Sequence, residues 1–171
     1  MYSYTIFITN NIPCNWATLL IGLQSNFITV NEINKYAENF LLEHPDASTD
    51  EILELNWLKD DTEKAILLLK ELAKNIDWNL HDEIKKWRYC GLKHIRNSSN
   101  NYADMLERVA LLYSDLDYPE EMESFIYYLP PNDDYNPDEF TKEQNTQRLI
   151  SNLDYFLKCE YNDLRRFYTL E

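Results

Sequence analysis

Gly22 and Gly91 are the only glycines in a chain of 171 residues. Folds built on tight hairpins need residues that accept positive φ at their turns, and glycine is the usual supplier. A β-rich architecture is therefore a poor expectation, and the periodicity of the apolar residues points to helices. Val30, Ile33, Tyr36, Ala37, Phe40 and Leu41 fall on one face of a 3.6-residue repeat, preceded by Thr29 and Glu32 at capping-box spacing. Ser48 with Glu51, and Asp60 with Glu63, predict two further starts, the second leading into Ala65, Ile66, Leu69, Leu72 and Ile76.

Leu80, Ile84, Trp87, Gly91 and Ile95 form the next stripe, and Tyr102, Met105, Leu106, Val109, Tyr113 and Leu116 the one after the polar loop 97–101. Pro119 suits a first helical residue, with Met122, Phe125, Ile126 and Leu129 continuing at helical spacing until Pro130 and Pro131 stop the helix. Thr141 and Gln144 cap a last helix carrying Leu149, Leu153, Phe156, Leu157, Tyr161, Leu164 and Tyr168. The expectation is an all-α chain, residues 1–171 forming a single helical domain. About eight helices would stack as antiparallel hairpins, in a bundle or a short solenoid-like array, although no strict repeat is present. Segment 2–8 alternates like a strand but has no partner to pair with, so it is expected as a helix or an extended arm.

Catalytic motifs are missing. Two glycines cannot build a phosphate-cradling loop or a dinucleotide fingerprint. His44, His81 and His94 lack metal-ligand spacing, and Cys14, Cys90 and Cys159 form no C-x-x-C pair. Cys90 and His94 share a helix face, but a small buried hydrophobe is the commoner role for such a cysteine. Asn132, Asp134, Asn136 and Glu143 match positions 1, 3, 5 and 12 of a calcium loop, but Pro137 stands where that loop needs glycine. No cofactor and no metal are implied. Trp16, Trp57, Trp78 and Trp87 read as core or core-edge residues.

The three unpaired cysteines suit a reducing compartment, and Trp16–Leu23 is too short an apolar run to span a bilayer, so a cytoplasmic protein without membrane contact is expected. The net charge of −14 speaks against direct nucleic-acid binding and for a basic partner. That charge is concentrated: residues 115–143 hold ten acids against Lys142 alone. Proline and tyrosine are interleaved with them, a combination that supplies contact area at low entropic cost. The expected partner-binding residues are Asp115, Asp117, Glu120, Glu123, Tyr127, Asp133, Asp134, Tyr135, Asp138 and Glu139.

Tyr118-Pro-Glu-Glu-Met-Glu-Ser-Phe-Ile-Tyr-Tyr-Leu-Pro-Pro131, with Ile12-Pro-Cys-Asn-Trp16 and Leu55-Asn-Trp-Leu-Lys-Asp-Asp61, resembles a family of small acidic helical bacterial proteins of unassigned function. Such chains are similar to the immunity proteins of polymorphic-toxin and contact-dependent growth inhibition systems. The resemblance implies a noncatalytic protein that neutralises a cognate toxin with a basic surface, a ribonuclease being the candidate. It transfers no contact residue. The competing expectations are a helical adaptor without a toxin partner, and an enzyme using His81, His94 and nearby carboxylates.

Overall fold

A computed structural model describes residues 1–168, with side chains through Arg165; the Tyr168 side chain expected on the last stripe lies outside the described residues. Every regular element among them is helical: α1 (Thr5–Thr9), α2 (Trp16–Gln24), α3 (Val30–Glu43), α4 (Asp50–Trp57), α5 (Thr62–Ala73), α6 (Leu80–Ser98), α7 (Tyr102–Asp115) and α8 (Lys142–Tyr168), with three 3-10 turns. The all-α expectation of about eight helices is met. The chain divides into two compact units, 1–87 and 88–171, the division falling within α6.

In the first unit α2 packs on α5, α3 on α4 and α4 on α5. Its centre is Trp87, 1% exposed, with Phe7 edge-on at 4.6 Å and Phe27 at 5.4 Å. The indole N–H donates to the Thr18 carbonyl at 2.8 Å. Gly22 makes room for this ring, because a Cβ there would lie 2.1 Å from Trp87 Cζ2. Within segment 2–8 the chain becomes helical at Thr5, and Ile6 and Phe7, adjacent in sequence, are both buried. Alternating strand geometry could not bury neighbours against one core.

Helix bodies follow the apolar stripes, whereas several caps differ from expectation. Thr29 does precede α3 but makes no side-chain cap. Glu32 instead accepts the Tyr4 N–H at 3.2 Å and pairs with Lys35 at 2.6 Å, tying the N-terminal segment to α3. The α4 cap is Thr49 and the α5 cap Asp61, each one residue beyond the Ser48 and Asp60 expected. Thr141 and Gln144 form the expected reciprocal pair. Trp16 and Trp87 are buried, but Trp57 is 80% exposed, so the expected core role does not hold there. On α6, Leu80 is exposed while Glu83 and Lys86 are buried.

The second unit departs most at Pro119. Asp117 and Tyr118 take φ of 62° and 59°, reversing the chain after α7, and Pro119 is extended rather than helical. The next element is a 3-10 helix, Glu120–Phe125, not an α-helix running to Pro130. With three residues per turn, Met122 and Phe125 line up and both are fully buried. This turn packs against α8, where Asn152 donates to the Ser124 carbonyl at 2.8 Å and removes an acceptor a longer helix would use.

Candidate functional site

Residues 113–143 carry the expected partner surface, and α6 and α8 hold it in place from beneath. Arg88 is buried and forms a two-point pair with Glu160 on α8, at 2.8 and 3.1 Å, while reaching Glu121 at 3.5 Å. Its guanidinium also lies over the Phe156 ring, 5.3 Å from the centroid. A bidentate arginine in this setting fixes both partners geometrically, so the Glu120–Phe125 turn is anchored through Glu121.

Beyond that turn, Asn145, Arg148 and Asn152 stand three and four residues apart on α8, one face of the helix. Asn145 accepts the Tyr135 hydroxyl at 2.5 Å and donates to the Pro137 carbonyl at 3.0 Å. Arg148 donates to Asp133 at 2.5 Å and lies 4.2 Å from the Tyr135 ring centre. Phe140 stacks on the same ring at 4.7 Å, nearly parallel. Burial raises the Asp133 carboxyl, but bonds from Arg148 and the Tyr135 amide outweigh it and leave the group below its ordinary range. The stiffness that the prolines suggested is thus completed by α8.

The ten expected contact residues fall into two groups. Asp133 and Tyr135 are consumed by the loop's own packing, and Glu123 is half-buried. Asp115, Asp117, Glu120, Asp134, Asp138 and Glu139 are exposed, as is Tyr127 at 53%. None of those six acids joins an ion pair among the described residues. Tyr118 and Tyr128 are also more than half exposed, whereas Tyr113 is buried, its hydroxyl pKa raised first by burial and then by Glu123 and the neighbouring tyrosines.

A groove of about 870 Å³ lies beside this surface, lined by Tyr102 and Leu106 of α7, Leu149 of α8, and Tyr127, Asp138 and Phe140 of the loop. Sequence reasoning placed Tyr102 on a buried stripe, but it is 52% exposed, and it did not single out Phe140, Asn145 or Arg148. Only charge and proline content were visible in one dimension; which α8 residues face the loop is a tertiary fact.

The residues considered for chemistry are placed differently. Cys90 is fully buried and His94 exposed, with burial, then Arg108, lowering the imidazole pKa. In the first unit Thr18 donates to Glu83 at 2.7 Å and Glu83 pairs with Lys86 at 2.7 Å, all three buried. Burial pushes the nearby Cys14 thiol up, against a smaller opposing effect of Lys86. No group of three or more His, Cys, Asp or Glu is arranged to hold a metal among the described residues, and no helix there is long and apolar enough to cross a membrane.

No curated protein and no solved structure matches the chain. A family profile described as an uncharacterized protein conserved in bacteria (DUF2247) matches residues 4–161, and by that extent the chain belongs to this bacterial family.

Proposed function

We propose that the chain is an immunity protein that binds and neutralises a cognate bacterial toxin domain with a basic surface, acting in the cytoplasm. The observation that carries this reading is the exposure of Asp115, Asp117, Glu120, Asp134, Asp138 and Glu139 and of Tyr118, Tyr127 and Tyr128, within one stretch of the chain whose later part is fastened to α8. Clustered acids raise the encounter rate with a basic protein and reject acidic ones. Rigid tyrosines then add contact area without a large loss of side-chain freedom. A nuclease groove, itself basic because it holds phosphates, is the complementary surface.

The reading is tested by co-purifying the chain with the product of the adjacent gene and expressing that product with and without it. Binding together with rescue of growth supports immunity. Stable binding to a harmless product favours the adaptor, and absence of both binding and rescue ends the proposal.

A further inference from the structure

We propose that the groove between α7, α8 and the loop receives a basic amphipathic segment of the protein partner, its apolar side chains entering the groove and its arginines meeting the rim. This rests on the reading of the chain as a binder of a basic protein and names what that protein inserts. The lining supplies both halves of such a segment. Tyr102, Tyr127 and Phe140 are 52%, 53% and 43% exposed, yet they line the same groove together with Leu106 and Leu149. Rings that stay half in water leave apolar area for another chain to cover.

The rim fixes the sign of the occupant. Glu107 and Asp138 belong to the lining, against Lys142. Glu139 and Glu143 adjoin it in sequence and are exposed. Arg148, the nearest other cation on α8, is already taken by Asp133. Aromatic faces beside carboxylates attract guanidinium groups twice over, through the ring quadrupole and through the charge. A small ligand is a worse fit, since small-molecule sites enclose most of their ligand whereas these rings remain half exposed.

The experiment uses the full chain and two fluorescein-labelled peptides of equal charge, one alternating arginine with leucine and the other arginine with serine. The arginine–leucine peptide is expected to bind about tenfold more tightly, with amide resonances of residues 102–107 and 138–149 shifting. Tyr102→Ala with Phe140→Ala should abolish that advantage, and Ala103→Arg, at an exposed position that removes no packed ring, should do the same. Equal affinity for the two peptides, or an advantage that survives both variants, overturns the proposal. So does spermine alone shifting the groove resonances as strongly. Reversing Asp115, Asp117 and Asp134 to Lys is the separate arm: it should weaken both peptides alike, and no change there would defeat the electrostatic reading of function independently of the groove.

Discussion

The two units carry the same net charge and use it differently. Residues 1–87 hold 14 acids and 7 bases, and residues 88–171 hold 16 and 9, a net of −7 in each. In the first unit some acids serve the fold: Asp61 caps α5, Glu54 pairs with Lys64, Glu71 with Lys74, Glu83 with Lys86, and Glu32 holds the N-terminal segment. Glu38, Glu43, Asp46, Asp50, Asp60, Glu63 and Asp77 are exposed outside any ion pair among the described residues and spread along the chain. In the second, Arg88, Arg96 and Arg148 pair with Glu160, Asp154 and Asp133, and Asp115, Asp117, Glu120, Asp134, Asp138 and Glu139 are exposed outside any ion pair among the described residues, all within one stretch of the chain. Net charge therefore does not mark a binding surface; what sets the second unit apart is the concentration of its acids in 115–143, against Lys142 alone, among the exposed Tyr118, Tyr127 and Tyr128.

The comparison is broken most severely at the anchors. Trp87→Ala should cost about 3–5 kcal/mol in chemical denaturation, the range for removing a large buried aromatic. Arg88→Ala removes the bidentate guanidinium from buried Glu160 and should cost about 3–5 kcal/mol, while the double change Arg88→Met with Glu160→Leu should recover most of that loss. A single Arg88 variant as stable as the parent would contradict the view that buried cations hold the acidic surface from below.

Gly22→Ala drives a methyl group into Trp87 and should cost about 1–3 kcal/mol, the range for overpacking a core, read by the same denaturation. Arg148→Ala should leave global stability nearly unchanged but speed hydrogen exchange of residues 133–140, because it frees Asp133 and uncovers the Tyr135 ring. The pH dependence carries the same signature. The Asp133 carboxyl is held below its ordinary range in the folded protein. Its contribution is therefore present above the unfolded-state pKa and lost as pH falls through the folded one. Loop exchange in the parent should thus approach that of Arg148→Ala only in acid.

The smallest effects concern backbone strain. Asp117 and Tyr118 occupy left-handed conformations that favour glycine. Asp117→Gly should change stability by no more than about 1 kcal/mol and in the stabilising direction, by relief of that conformation. If the same variant also weakens partner capture, the aspartate is retained for contact and not for folding.

These particulars show why some features were legible in the sequence and others not. The stripes of α3, α5, α7 and α8 emerged because a helix satisfies its own backbone, so apolar spacing alone reports its inward face. Caps slipped by one residue at Thr49 and Asp61 since neighbouring Ser48 and Asp60 offer the same oxygen. The Glu120–Phe125 turn was misread because 3-10 and α spacing both place Met122 and Phe125 together, and only the consecutive positive φ angles and the Asn152 bond decide between them. Buried Glu83, Lys86 and Arg88 gave no signal, because burial of a charged side chain is set by tertiary packing that spacing does not reveal. The acidic segment was legible as composition; that Asp133 and Tyr135 serve the loop, that Glu121 meets Arg88 and that Asp115, Asp117, Glu120, Asp134, Asp138 and Glu139 face water was not.

The most direct measurement compares matched charge reversals in the two units. Asp134, Asp138 and Glu139 changed to Lys, and separately Glu38, Asp46 and Asp77 changed to Lys, alter net charge equally. The association rate of the captured partner is then followed across ionic strength. Reversal in the second unit should slow association at least about tenfold at low salt and flatten its salt dependence, with the first-unit variant close to the parent. Equal slowing by both variants, or by neither, would contradict the claim that the second unit's exposed acids form the docking surface.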